Sequence, residues 1–109
     1  MPRLYAELKS PHEGTRQKMV ERLRELDRPP AELIEALRPL LQDPSEEVRE
    51  ELAEAFGEIA AEPAFELLIA MLGDVSSEVR EEALEALQRH QVPVERYAAH
   101  LSRNSAPGP

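Results

Sequence analysis

Apolar residues recur along this chain at intervals of three and four positions, the spacing that places them on one face of an α-helix. One such stripe runs through residues 33–41 and another through residues 48–59. Prolines at positions 29, 30, 63 and 93 separate the periodic segments, as expected where helices begin or end. The pattern predicts no strand and six or seven helices, near 3–9, 12–26, 31–42, 45–60, 63–72, 76–90 and 93–103.

Part of this pattern is an internal repeat. Residues 37–49 (LRPLLQDPSEEVR) recur at an offset of 31 as residues 68–80 (LIAMLGDVSSEVR), and a weaker copy lies upstream at an offset of 33. Each copy spans the end of one helix, a turn and the start of the next. Since a lone helix pair cannot bury its apolar stripe, antiparallel pairs must stack, and about three pairs are needed for stability.

The repeated unit resembles the HEAT repeat over residues 4–90, and its second helix also resembles the phycobilisome-lyase type of that repeat. The resemblance implies an all-α fold, a right-handed α-α superhelix in which second helices line the inner surface. It further implies a structural ladder, in which aspartates of the turns meet arginines across neighbouring repeats. The residues that match the family are Pro39 in the first helix, then Asp43, Arg49, Asp74 and Arg80.

The same spacing suggests how the chain is organised. We expect one short HEAT-like solenoid domain over residues 1–103, with repeats near 3–28, 30–60 and 62–90. A helix at 93–103 would cap the last repeat, and a flexible tail would follow over residues 104–109.

Charge is concentrated in the centre of the chain. The net charge is −9, and residues 30–90 alone carry four Lys or Arg against sixteen Asp or Glu, for −12. Such a surface repels phosphate backbones and anionic membranes, so nucleic acid and membranes are not expected partners. No apolar run approaches the ~18 residues of a membrane span, and we expect a cytoplasmic protein.

The sequence contains no constellation typical of catalysis, cofactor binding or metal binding. Cysteine is absent, and the three histidines are too far apart for a recognisable ligand spacing. Serines at predicted helix starts are explained by capping. We therefore expect neither an enzyme nor a cofactor.

An acidic stripe is the first candidate binding surface. It consists of glutamates that follow one another on a helix face at intervals of three and four residues. Like charges at i, i+4 destabilise a helix slightly, so a gain in stability does not explain why glutamates occupy these positions. Either they solvate the protein, or they bind a Lys/Arg-rich segment of a protein partner. The acidic stripe comprises Glu47, Glu51, Glu54 and Glu58 on one second helix and Glu78, Glu82 and Glu85 on the next.

Helix 63–72 is the second candidate, because it is apolar on nearly every side. A helix of this kind is usually buried all round. If the C-terminal helix does not cover it, its side chains form an apolar contact for a partner or a homodimer. The residues in question are Leu67, Ile69 and Ala70.

The function class expected from these features is a protein-protein interaction module or adaptor. The alternative is a regulatory or accessory subunit of an enzyme, as the phycobilin-lyase resemblance implies. An autonomous enzyme is the third class, and the acidic charge argues against the HEAT-like DNA-repair glycosylases, which require a basic groove.

Overall fold

The computed structural model describes residues 12–105, which form helices and turns without a strand. The predicted all-α class is confirmed. The α-helices are α1 (Glu13–Glu25), α2 (Ala31–Ala36), α3 (Glu46–Gly57), α4 (Glu62–Met71), α5 (Ser77–Arg89) and α6 (Ala98–Ser105), with 3-10 helices at Arg38–Gln42 and Val94–Arg96. The predicted helix near 3–9 and the end of the predicted tail lie outside the described residues.

The helices form two layers. The second helices α1, α3 and α5 lie side by side, with α3 between the other two. The first helices α2 and α4 contact each other in the other layer, and α4 also packs against α3 and α5. This arrangement is the short HEAT-like solenoid of stacked helix pairs that the repeat predicts.

The core lies between the layers and is built from the apolar stripes. Seven side chains at the periodic apolar positions are all at most 1% exposed: Val48, Leu52, Phe56, Leu68, Leu72, Val79 and Leu87. Met19, Val20 and Leu23 of α1 join the same cluster. The apolar spacing therefore identified the buried face of each second helix.

The first helix of the second repeat differs from the prediction of one α-helix over 31–42. It is α-helical only to Ala36 and continues as a 3-10 helix from Arg38 to Gln42. Pro39 explains the change, because it has no amide hydrogen and its ring clashes with the carbonyl four residues earlier. The tighter i→i+3 bonds appear from Leu40 to Leu37 and from Asp43 to Leu40.

The C-terminal segment also departs from the predicted single helix 93–103. Tyr97 has φ −134° and ψ 9°, outside the helical region, and separates a 3-10 turn from α6. Tyr97 is buried, whereas Val94 of the expected capping helix is exposed. Helix α6 runs to Ser105, so residues 104 and 105, expected in a tail, are helical.

Candidate functional site

The turn between the two helices of a repeat is held by its aspartate and serine. Ser45 is the N-cap of α3, as expected of a serine at a helix start, and its hydroxyl oxygen accepts from the Val48 amide. Asp43 accepts from the Ser45 amide at 2.9 Å. Asp74 and Ser76 make the same bond before α5, also at 2.9 Å. Each aspartate is thereby oriented by its own turn.

Arginines of the second helices reach these aspartates across the repeat boundary. Arg16 Nε lies 2.6 Å from Asp43 Oδ2, and Arg49 Nε lies 2.9 Å from Asp74 Oδ2. The Arg49 Nη1 also donates to the Asp43 carbonyl oxygen at 2.6 Å. Each pair thus joins the second helix of one repeat to the turn of the next.

The fourth member of the expected ladder is placed differently. Arg80 Nη1 donates to the carbonyl oxygens of Asp74 and Val75, at 2.9 and 3.2 Å. No ion pair to a carboxylate forms at Arg80 within residues 12–105. The cross-repeat partner of Asp43 is Arg16, which was not among the four ladder residues expected from the sequence.

A second ladder was not anticipated from the sequence. The Ser45 hydroxyl donates to the carboxylate of Glu13 at 2.5 Å, and the Ser76 hydroxyl donates to that of Glu46 at 2.6 Å. In both cases the N-cap serine of a second helix binds the first residue of the preceding second helix. The offsets of 31 and 33 contained this signal, because they place Glu13 against Glu46 and Ser45 against Ser76.

The acidic stripe lies on the adjacent helices α3 and α5. Glu51, Glu54 and Glu82 are half-buried, and the other four members are exposed. Glu78 lies at the start of α5. A hydrogen bond from its own backbone amide lowers its pKa most, and hydrogen bonds from the Ser77 and Ser76 hydroxyls lower it further. The remaining members extend along both sides of α3.

On the α5 side of α3, carboxylates face one another. Burial, followed by repulsion from Glu54 and Glu85, raises the pKa of Glu82. Burial and repulsion from Glu54 likewise raise the pKa of Glu50. Arg89 lies close enough to oppose the shift at Glu82, yet the pKa remains raised. The charged forms of these groups are therefore disfavoured in the folded protein.

On the α1 side of α3, one cation meets three members of the stripe. Arg24 donates two hydrogen bonds to the Glu58 carboxylate, from Nε to Oε1 at 3.1 Å and from Nη2 to Oε2 at 2.6 Å. Its Nη1 lies 3.5 Å from Glu54 Oε1 and 3.8 Å from Glu51 Oε2. The hydrogen bond from Arg24 lowers the pKa of Glu58, whereas burial and the charge of Glu21 raise that of Glu51.

Two residues of this surface were missed by the sequence analysis. Glu50 was omitted, although it lies three residues after Glu47 and four before Glu54 and so falls on the same helix face. Arg24 was omitted because the stripe was defined on the second helices of the last two repeats and included no residue of the first. Its contact with α3 depends on how two helices pack, which spacing within one helix does not reveal.

The proposed apolar contact on α4 requires correction. Leu67 is fully buried and Ile69 is 9% exposed, so only Ala70 of the three residues is open. Contacts with α2, α3 and α5 surround this helix. The apolar surface is used inside the chain, and no homodimer contact through Leu67 and Ile69 follows from it.

No group of three or more His, Cys, Asp or Glu within residues 12–105 could hold a metal ion. A cleft of about 260 Å³ lies between the turns of the second and third repeats, where Asp43, Arg49 and Asp74 form part of its wall. These three are already engaged in the ladder. None of the described helices is long and apolar enough to cross a membrane.

Comparison with known proteins agrees with this architecture. A family model described as HEAT repeats matches residues 1–88, which is most of the chain. A search of curated proteins found no significant match. HEAT repeats are generally protein-interaction scaffolds and are typically non-catalytic. The repeated helix pairs, the Asp–Arg ladder and this match together show that the chain belongs to the HEAT-repeat family.

Proposed function

We propose that this chain is an interaction module whose acidic stripe binds a Lys/Arg-rich segment of a partner protein. The observation that carries the proposal is the position of Glu54. This residue belongs both to the carboxylates near Arg24 and to the carboxylates that face one another between α3 and α5. It lies beside Arg24 on the α1 side and repels Glu82 on the α5 side. A segment crossing α3 would therefore meet negative charge on both sides.

The raised pKa values of Glu50, Glu51 and Glu82 support binding rather than solvation alone. A face that only keeps a protein in solution needs exposed carboxylates, whereas Glu51 and Glu82 are half-buried. A bound cation would favour the charged forms that burial and repulsion disfavour. Association would then be fast and would weaken steeply as salt is added.

The test compares two sets of charge-neutralising substitutions of equal size. The stripe variant combines Glu51→Gln, Glu54→Gln, Glu82→Gln and Glu85→Gln. The control variant combines Glu32→Gln, Glu35→Gln, Glu62→Gln and Glu66→Gln, four exposed positions on α2 and α4. Fluorescence anisotropy with a labelled arginine-serine repeat peptide gives the affinity at low and moderate salt.

We expect the stripe variant to bind about tenfold more weakly at low salt, because four charge pairs of modest strength are lost. The control should stay within about twofold of wild type, since it retains the stripe and changes the net charge by the same amount. Equal weakening of both variants would mean that net charge alone attracts the peptide, and the proposal would be contradicted.

A further inference from the structure

The guanidinium of Arg24 stands among members of the acidic stripe in the free protein. It is bonded twice to Glu58 and lies within 4 Å of Glu54 and Glu51. Its side chain is 32% exposed, and those of Glu54 and Glu58 are 41% and 49% exposed. The contact is therefore a surface ion-pair network that a competing cation can reach.

We propose that the α1 side of the stripe is an arginine-binding site that Arg24 occupies in the free protein and yields to an arginine of the partner. The inference rests on the proposed function, since it assigns the chemistry of the basic segment. Arg24 then acts as an internal competitor that limits affinity. Exposed ion pairs contribute little to stability, so exchange of one guanidinium for another is energetically feasible.

The geometry favours arginine over lysine in the partner. The Glu58 carboxylate receives two N–H groups of one planar guanidinium, an arrangement that a single ammonium cannot reproduce. In addition, Glu51 Oε2 is shielded from solvent and accepts no hydrogen bond within the described residues. Arg24 Nη1 lies 3.8 Å from this oxygen, beyond hydrogen-bond distance, and a partner guanidinium that came closer would supply the missing donor.

A purely structural role is the competing account, because Arg24 also joins α1 to α3. The two accounts differ in what removal of Arg24 does to binding. A structural brace should leave affinity unchanged or lower it when lost, whereas a competitor should raise affinity when lost. Arg38 offers a matched control: it is 52% exposed and paired with Glu35 away from the stripe.

The experiment titrates wild type, Arg24→Gln and Arg38→Gln with the arginine-serine peptide and with a lysine-serine peptide of equal length. We expect Arg24→Gln to bind the arginine peptide about two- to fivefold more tightly than wild type, the range of one exposed ion pair. Arg38→Gln should show less than half of that gain, and Arg24→Gln should prefer the arginine peptide. Circular dichroism melting of each variant reports folding. If Arg24→Gln is not folded, Arg24→Lys replaces it, because lysine keeps the charge but cannot form both hydrogen bonds to Glu58.

Each contrary result has a distinct meaning. Equal gains in Arg24→Gln and Arg38→Gln would show a long-range charge effect and overturn the competitor, while the binding function stands. An unchanged affinity of Arg24→Gln, or equal binding of the two peptides, would overturn the arginine site in the same way. Absence of peptide binding by all three proteins would overturn both this inference and the proposed function.

Discussion

Arg49 donates through Nε to the carboxylate of Asp74, 2.9 Å away in the next repeat, and through Nη1 to the carbonyl oxygen of Asp43 in its own repeat, at 2.6 Å. The two side chains of the pair are only 11% and 7% exposed. One guanidinium therefore fixes its own turn and the neighbouring turn together. Among residues 12–105, removing it leaves the Asp74 carboxylate with the Ser76 amide as its remaining hydrogen-bond donor.

Replacement of Arg49 by alanine should lower the free energy of unfolding by about 3 kcal/mol, because a largely buried carboxylate loses its cation. Chemical denaturation followed by circular dichroism measures this. Arg38→Ala is the control, since its exposed pair with Glu35 contributes about 1 kcal/mol or less. Similar losses in the two variants would show that the ladder contributes no more than a surface pair.

Gly57 allows α3 and α5 to approach closely. A Cβ at this position would lie 3.0 Å from Ala86 Cβ and 3.4 Å from Arg89 Nη1. Because Ala86 is held on a helix and cannot rotate away, Gly57→Ala should destabilise the protein by about 1 kcal/mol despite its better helix propensity. Gly14→Ala, whose Cβ would meet nothing within 4 Å, should be neutral or stabilising by up to about 1 kcal/mol. A stabilised Gly57→Ala would show that the two helices can separate without loss.

The contributions of Glu82 and Glu58 to the stability of the fold should have opposite signs at neutral pH, and both should disappear at low pH. The pKa of Glu82 is raised above its ordinary 4.5, so the folded state binds its proton more tightly than the unfolded state does. Its unfavourable contribution is present at neutral pH and disappears as pH falls through the raised pKa. Glu82→Gln should therefore raise the melting temperature at pH 7, by an amount equivalent to about 0.3 kcal/mol, and give no gain near pH 3.

Glu58 has the opposite sign because the hydrogen bond from Arg24 lowers its pKa below 4.5. Its favourable contribution is present above the unfolded pKa and is lost as pH falls through the folded pKa. Glu58→Gln should lower the melting temperature at pH 7 and leave it unchanged near pH 2. Parallel pH profiles of Glu58→Gln and Glu82→Gln would contradict the separation of the stripe into a paired side and a repelled side.

Gln91 ends α5 in a strained conformation. Its φ is +58°, the only positive value at a non-glycine residue within 12–105. The Val92 amide donates to the Leu87 carbonyl and the Gln91 amide to that of Gln88, both at 3.0 Å, which is the Schellman pattern. Gln91→Gly should thus stabilise the protein by about 0.5–1 kcal/mol in thermal unfolding. A loss of stability would show that the Gln91 side chain makes a contact that outweighs the strain.

Much of the fold followed from the sequence because the repeat and the apolar spacing carry the same information. Val48 and Val79 are buried at equivalent positions, as the 31-residue offset requires. The helix break at Pro39 was not predicted, since a proline within an amphipathic pattern was treated as part of the helix. The break at Tyr97 carried no turn signal in the sequence, and it places a buried ring between the 3-10 helix and α6.

For the candidate site, the sequence predicted which residues share a face of one helix but not which residues meet between helices. The residues of the stripe on α3 share a face, as the spacing of Glu47, Glu51 and Glu54 indicated. Contacts between helices were not accessible to the same reasoning. Arg24 reaches Glu58 across 34 positions, and Arg16 rather than Arg49 meets the Asp43 carboxylate, because packing fixes the register of one helix against the next.

A basic segment is proposed to bind on α3 and α5 rather than anywhere on the acidic surface of this protein. NMR titration of the side-chain carboxyl signals with the arginine-serine peptide tests this proposal most directly, since each glutamate reports its own neighbourhood. We expect saturable shifts at Glu51, Glu54, Glu82 and Glu85, with little change at Glu32, Glu35, Glu62 and Glu66. Shifts of equal size in both groups, or none at Glu54 and Glu82, would contradict it.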